Sequence, residues 1–193
     1  MKEKIKNIIF ILLLGGISTS LIIGIKSYTL PMIERYEAFQ LKSTIVAAAG
    51  IAYSKENLND VFTENIREII KDAFVFYLSP DNKYIFEFDG RGLWGMIKGV
   101  ITLNPDLETI ERVQIISQEE TPGLGARITE ERFLNTFRGK KFSPRLKLVL
   151  RKMRPEDNEI DAITGATMTS GALIDMLNQA FEDFIHTAHK QKE

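Results

Sequence analysis

The stretch that decides the fold is DAITGATMTSG, residues 161–171, where small and hydroxyl-bearing residues stand directly before an apolar pattern. The apolar residues that follow it have the spacing of a helix with one buried face: Leu173, Ile174, Leu177, Phe181, Phe184 and Ile185. The sequence therefore places residues 161–171 at the N-terminus of the last helix. Unpaired backbone N–H groups and the positive end of the helix dipole favour a phosphate at such a point.

The absence of a lysine from residues 161–171 limits the kind of phosphate ligand that they could bind. A nucleoside-triphosphate loop ends in Gly-Lys-Ser/Thr, whereas this stretch contains no lysine, so ATP is disfavoured. Gly165 and Ala166 have little or no side chain and would let the backbone approach a phosphate closely. The alternative is an ordinary turn in which Thr169 or Ser170 serves as the N-cap. Composition leaves both interpretations open.

The run TGAT, residues 164–167, resembles the flavinylation motif of two families of membrane-bound redox subunits. These are the C subunit of the sodium-translocating NADH:quinone reductase and the G subunit of the Rnf complex. In both families FMN is joined through its phosphate to the threonine that closes the run, which is Thr167 in this sequence. The resemblance implies covalent FMN on Thr167 and a separate flavin transferase, with Asp161 serving recognition or metal-assisted transfer. It further implies that the phosphate site is shaped by Thr164, Gly165, Ala166 and Thr169.

Two glycine-rich stretches precede this motif, GRGLWG at residues 90–95 and QEETPGLG at residues 118–125. Taken alone, each predicts a tight turn. The Gly-Leu-Trp-Gly part resembles the reductase C subunit, and the Glu-Thr-Pro-Gly-Leu-Gly core resembles a loop that lines the flavin site in both families. The resemblance implies flavin contacts from Trp94, Glu120, Thr121, Gly123 and Leu124. The families usually carry a histidine where this chain has Gln118, which cannot titrate near neutral pH.

Composition excludes several other classes of function. The chain has no cysteine, so it contains no disulfide, no cysteine-ligated iron–sulfur cluster and no cysteinyl flavin. Its 25 basic and 26 acidic residues nearly balance, which gives no nucleic-acid footprint. His186 and His189 are too few for a metal site and are expected on a solvated helix end. We predict no metal and no catalytic acid or base.

Residues 8–25, IIFILLLGGISTSLIIGI, form an uncharged run that is just long enough to span a bilayer. We predict a membrane anchor over residues 1–26 and an FMN-binding domain over residues 27–193. A cleaved signal peptide is the competing interpretation, but the run is long for a signal core and no Ala-x-Ala-like site follows it. Lysines before the run favour a cytoplasmic N-terminus. The family resemblance likewise implies an inner-membrane protein whose domain lies on the periplasmic or extracytoplasmic side.

The remaining pattern predicts an α+β fold, with a mainly antiparallel sheet flanked by helices and one N-terminal transmembrane helix. The predicted elements are a helix from Thr29 to Ala49 that begins near Pro31, a helix capped by Asp60 that runs through Ile70, a hairpin over residues 73–89, strands over 96–103 and 109–117, a short helix over 129–137 and a strand over 146–150.

The resemblance implies an electron-transfer subunit that works with other membrane subunits in a complex coupling electron flow to sodium or proton movement. The chain would then be part of an oxidoreductase without holding a complete catalytic site. Two alternatives stay open: a stand-alone flavinylated extracytoplasmic electron carrier, and a membrane-tethered assembly module whose glycine turns are purely structural.

Overall fold

The computed structural model describes residues 2–71, 74–150 and 155–189. The chain divides into two compact units, Met1–Gln40 and Leu41–Glu193. A single helix, α1 (Lys2–Ala48), accounts for the described part of the first unit and continues into the second. It is long and apolar enough to cross a membrane.

Helix α1 runs through Pro31 without a break, so the prediction of a helix that begins near Pro31 is wrong. A proline inside a helix removes the hydrogen bond to the carbonyl one turn earlier. The Thr29 hydroxyl donates to the carbonyls of Ile25, at 3.0 Å, and Lys26, at 3.3 Å, in the preceding turn. The Thr29 side chain thus bonds within its own helix, in the turn before the proline.

The second unit is built on an antiparallel sheet whose spatial order is its chain order. Its strands are β1 (Arg67–Lys71), β2 (Phe74–Leu78), β3 (Tyr84–Arg91), β4 (Met96–Leu103) and β5 (Ile110–Gln118). The predicted hairpin is confirmed as β2 and β3, although residue 73 lies outside the described residues. The strands predicted over 96–103 and 109–117 are confirmed as β4 and β5. The α+β fold class is confirmed.

The helix predicted from Asp60 to Ile70 is wrong at both ends. Helix α2 (Leu58–Asn65) begins after Asn57, so Asp60 lies within its first turn and does not cap it. Ile69 and Ile70 belong to β1, where they pair with β2. Isoleucine is β-branched and packs well on a pleated surface, so strand pairing outweighs a helical spacing that extends over only a few residues.

The last helix, α4 (Thr167–His189), covers one face of the sheet. Phe184 is fully buried there, stacked on Phe86 at a centroid distance of 4.5 Å and packed edge-on against Phe76. Residues of opposite parity point to the other face, where Tyr77 lies edge-on against Phe62 of α2 at 5.9 Å. Apolar residues therefore cover the sheet on both faces.

The chain between β5 and α4 forms an irregular layer that leads to residues 161–171. It contains a 3₁₀ turn (Gly125–Thr129), helix α3 (Glu131–Leu134), a second 3₁₀ turn (Asn135–Phe137) and the strands β6 (Lys147–Val149) and β7 (Glu159–Asp161). The short helix predicted over 129–137 is confirmed in broken form. The strand predicted over 146–150 is confirmed as β6, which pairs in parallel with β7 in a separate sheet. The buried Asn178 amide of α4 holds this layer by hydrogen bonds to the N–H and the carbonyl of Leu146, both at 3.0 Å.

Phe184→Ala tests the packing of α4 on the sheet. We expect the free energy of unfolding to fall by about 3–5 kcal/mol, because a buried ring that packs against several other rings would leave a cavity. Phe181→Ala is the matched control, since Phe181 is only half-buried and stacks on Phe142. The free energy of unfolding of both variants is measured by urea unfolding in detergent, with circular dichroism as the signal. Equal losses in the two variants would contradict the assigned packing.

Candidate functional site

Residues 163–166 form the turn that precedes α4. The Ala166 N–H donates to the Ile163 carbonyl at 2.9 Å, and Gly165 has φ +84°, which together define a type II turn with glycine at its third position. Helix α4 begins at Thr167, and the Ser170 N–H makes the first helical bond, to the Ala166 carbonyl at 2.9 Å. The predicted helix N-terminus is therefore confirmed, and Thr169 and Ser170 lie inside the first turn, not at the N-cap.

The buried carboxylate of Glu120 joins three separate segments of the chain. One oxygen accepts hydrogen bonds from the N–H groups of Trp94, at 2.9 Å, and Gly95, at 3.4 Å. The other accepts a hydrogen bond from the Thr169 hydroxyl at 2.7 Å. Glu120 is 5% exposed and Thr169 is 1% exposed. The carboxylate thus ties the turn after β3 and the loop after β5 to the start of α4.

Three glycines make room for residues 119–124, the loop that carries Glu120, which we call the carboxylate loop. A Cβ on Gly92 or on Gly125 would meet the Glu120 carboxylate, and the Gly125 Cβ would also meet the Thr169 hydroxyl at 2.7 Å. A Cβ on Gly95 would collide with the neighbouring Glu119 side chain. The Gly92 N–H donates to the Gly95 carbonyl at 2.8 Å and closes the turn. The two glycine-rich stretches are therefore packed against each other.

Electrostatics hold Glu120 in its charged form. Burial raises the pKa of this carboxyl, but the hydrogen bonds from the Trp94 N–H, the Thr169 hydroxyl and the Gly95 N–H lower it by more. The net result is a pKa below the usual range for glutamate. Neutralising this carboxyl would leave N–H donors around it with a weaker partner.

Gln118, which stands where the families usually have a histidine, has a defined structural contact. Its side-chain oxygen accepts a hydrogen bond from the Glu120 N–H at 2.6 Å. The contact fixes the backbone at the start of the loop. It requires only an acceptor, so an amide can make it without a titrating group.

A cavity of about 300 Å³ lies over these elements, at the low end of the size range of ligand sites. Its walls include seven of the residues predicted from the sequence: Trp94, Glu120, Leu124, Gly165, Ala166, Thr167 and Thr169. The predicted residues Thr121, Gly123, Thr164 and Asp161 do not line it; Thr164 lies in the turn beside it, and Asp161 lies at the end of β7. The roles assigned to these residues stay predictions.

Sequence reasoning missed three residues in the cavity wall, Leu93, Gly125 and Met168. Leu93 and Met168 are 44% and 69% exposed, and with Trp94 at 70% and Leu124 at 51% they surround the cavity with apolar surface. Exposed apolar clusters of this kind mark binding sites. Position in the sequence could have indicated two of these residues, because Leu93 and Met168 are direct neighbours of predicted site residues.

Sequence reasoning also missed Arg127, which lies in the 3₁₀ turn after the carboxylate loop. Its guanidinium donates to the Thr164 carbonyl at 3.2 Å and forms an ion pair with Glu130 at 2.9 Å. A lone arginine in a loop gives no periodic or motif signal, so the sequence offered no means of finding it.

The two histidines give no site in the described part of the chain. His186 is exposed on α4, and the side chain of His189 lies outside the described residues. Among the described residues, no group of three or more histidine, cysteine or acidic side chains could hold a metal ion.

Comparisons with known proteins agree with this geometry. A family described as the FMN-binding domain matches residues 92–182, which include the three cavity-forming segments. Residues 92–182 of this chain are therefore similar to an FMN-binding domain. The match to the G subunit of an ion-translocating oxidoreductase complex from Methanosarcina acetivorans is 25% identical and covers 94% of both chains.

The second type of relative is the C subunit of the Na(+)-translocating NADH-quinone reductase. The protein from Haemophilus ducreyi is 31% identical over 115 residues, which cover 55% of this chain and 45% of the relative. The chain therefore spans about half the length of this relative. A crystal structure of the corresponding protein from Parabacteroides distasonis superposes with a TM-score of 0.67 at 25% identity and covers 81% of this chain and 95% of that one.

The cavity suits the two chemically different ends of FMN. Apolar side chains exposed around its rim can cover an aromatic ring system, and the N-terminus of α4 offers N–H groups and a positive dipole end to a phosphate. Thr167 lies where these two surfaces meet, and its side chain is exposed. The donor set therefore fits a phosphate-bearing aromatic cofactor.

Glu120→Gln tests the carboxylate that joins the loops. At neutral pH we expect a loss of about 1.5–3 kcal/mol in the free energy of unfolding, because charge-assisted hydrogen bonds are replaced by weaker ones. Since the folded pKa is lowered, this stabilisation is present above the unfolded pKa, about 4.3, and is lost as the pH falls through the folded pKa. The stability gap between the two proteins should therefore close below about pH 4.

Glu119→Gln is the matched control, since the Glu119 side chain is exposed. Urea unfolding at a series of pH values measures all three proteins. A gap for Glu120→Gln that does not change with pH, or an equal loss in Glu119→Gln, would contradict the assignment.

Proposed function

We propose that this chain is a membrane-anchored electron-transfer subunit that carries FMN, joined through a phosphoester to Thr167, in an ion-translocating oxidoreductase complex. One observation supports this above the others. Within the matched FMN-binding domain, the exposed Thr167 at a helix N-terminus shares a cavity with Trp94 and Leu124. A phosphate and an aromatic ring joined to it can therefore be held at the same time.

Different residues of the cavity would bind the phosphate end and the ring end of the cofactor. Thr167 would hold the phosphate, with Thr164, Gly165 and Ala166 shaping the turn and the N-terminus of α4 offsetting part of the negative charge. The isoalloxazine ring supplies the electron acceptance and donation when bound, so the protein needs no acid or base of its own.

The ring end of the cofactor would rest on the carboxylate loop. Trp94 and Leu124 would flank the ring, and Thr121 and Gly123 would approach its polar edge or the ribityl chain. Glu120 is engaged by three protein donors, so it would act mainly by holding Trp94 and Thr169 in place. Fixing the surroundings of the ring is the way in which a protein tunes a bound flavin.

Attachment of the cofactor requires an external enzyme. A threonine hydroxyl is a poor nucleophile without an adjacent base, and residues 161–171 contain neither histidine nor lysine. A flavin transferase acting on a flavin dinucleotide would join Thr167 Oγ1 to the FMN phosphorus. The diphosphate bond would break, the nucleoside monophosphate would leave with the electron pair, and the hydroxyl proton would pass to a base of the transferase. Asp161 would serve as a recognition residue for that enzyme.

Two types of parent complex follow from the relatives. The Methanosarcina protein matches over 94% of its length, whereas the Haemophilus protein matches over 45%. The reductase-type structure from Parabacteroides distasonis is covered to 95%, so coverage does not separate the two types. In either case the partners would be other membrane subunits of the complex, and the coupled ion would be sodium or a proton.

Helix α1 would place the chain in the cytoplasmic membrane. Residues 1–26 would form a single-pass anchor and residues 27–193 the FMN-binding domain outside the cytoplasm. The support is the apolar, exposed surface of the helix and the lysines at positions 2, 4 and 6 before the apolar run.

Thr167→Ala tests the attachment site. We expect complete loss of covalent flavin after co-expression with a flavin transferase, because alanine has no oxygen to esterify, while the fold is retained since alanine suits a first helical turn. Flavin fluorescence of denatured bands in a gel measures the effect. Thr63→Ala, which removes an exposed hydroxyl in α2 outside the cavity, should retain the label. A fluorescent Thr167→Ala band would disprove the site.

Deletion of residues 1–26 tests the anchor. The full chain should sediment with membranes and resist extraction by alkaline carbonate, because an apolar helix of this length is inserted nearly irreversibly. The truncated chain should remain in the soluble fraction. Continued sedimentation of the truncated chain after carbonate washing would argue against a single N-terminal anchor.

A further inference from the structure

We infer that Arg127 is a positioning residue for the attachment of the flavin phosphate, an inference that rests on the proposed function. Arg127 lies in the 3₁₀ turn Gly125–Thr129, directly after the loop that carries Glu120. Its Nη1 donates to the Thr164 carbonyl at 3.2 Å, and its Nε donates to Glu130 Oε1 at 2.9 Å. Thr164 lies three residues before the proposed attachment residue Thr167.

The contact acts on the peptide that defines the turn. The Thr164 carbonyl and the Gly165 N–H belong to the central peptide of the type II turn, and in a trans peptide these two groups point in opposite directions. Type I and type II turns differ by a flip of this peptide. By holding the carbonyl, Arg127 selects one orientation and fixes the direction of the Gly165 N–H.

The same contact places a permanent positive charge beside the turn. Glu130 holds the guanidinium from one side, and the planar fork of arginine keeps further N–H donors for an anion. This charge is paired with Glu130, and Arg127 is not among the residues that line the cavity, so Arg127 would act on a phosphate through the turn. Arg127 thus acts by orienting the turn that leads to the attachment residue.

A purely structural role of Arg127 predicts a different experimental result from a role in flavin attachment. The Arg127 and Glu130 side chains are 39% and 47% exposed, and ion pairs at such exposure contribute little to stability. Loss of the arginine should therefore leave folding almost unchanged. The rate of flavin attachment is the readout that separates the two roles.

The experiment uses the purified, unflavinylated full chain in detergent, incubated with a purified flavin transferase, FAD and Mg²⁺. Flavin fluorescence of denatured samples over time gives the initial rate of attachment. We expect Arg127→Met to slow attachment about tenfold or more, the factor expected when one charge-assisted hydrogen bond is lost from the step. Arg127→Lys keeps the charge and one donor, so it should restore the rate to within about threefold of the unsubstituted chain.

Arg132→Met is the matched control, since Arg132 is an exposed arginine in the adjacent α3, and it should label at the unsubstituted rate. Labelling of Arg127→Met at that rate would overturn the inference. So would a rate for Arg127→Lys that is no higher than that for Arg127→Met, measured on variants whose circular dichroism spectra match that of the unsubstituted chain. If neither the unsubstituted chain nor Arg132→Met is labelled, the proposed function fails and the inference fails with it.

Discussion

The structure depends on one buried charge, the carboxylate of Glu120. A charge can be buried only when its hydrogen-bonding capacity is met, and the donors that meet it come from Trp94, Gly95 and Thr169. These donors lie up to 49 residues away in the chain. The carboxylate therefore fixes the relative positions of the turn after β3, the loop after β5 and the start of α4. The glycines around it serve close packing, because a Cβ at Gly92 or Gly125 would occupy the place of the carboxylate.

This constraint separates two threonines that look alike in the sequence. Successive residues of a helix are about 100° apart around its axis, so Thr167 and Thr169 point in directions that differ by roughly 200°. Thr169 faces the interior and donates to Glu120, whereas Thr167 is exposed in the cavity wall. The first helical turn of α4 thus holds the loops with one hydroxyl and presents the other to the cavity. In the function we propose, the second hydroxyl carries the cofactor.

Much of this arrangement was predictable from local pattern. Strand-like runs separated by turn residues indicated β3, β4 and β5, and helical spacing indicated α4 and placed residues 161–171 at its start. Local pattern failed where long-range pairing decides the outcome. Ile69 and Ile70 continue a helical spacing, but pairing with β2 makes them a strand. The bonds of Glu120 could not be read from the sequence, because nothing local indicates which distant N–H groups surround a carboxylate. Arg127 was missed for the same reason, since its partner Thr164 is 37 residues away.

The most direct test of the central claim is peptide mapping by mass spectrometry of the full chain after co-expression with a flavin transferase. The account predicts an adduct with the mass of an FMN phosphoester on the peptide that contains Thr167, and unmodified peptides elsewhere. An unmodified Thr167 peptide from an otherwise folded chain, produced beside a transferase that labels a known substrate, would contradict it. The cavity beneath Trp94 would then belong to an assembly module and not to an electron carrier.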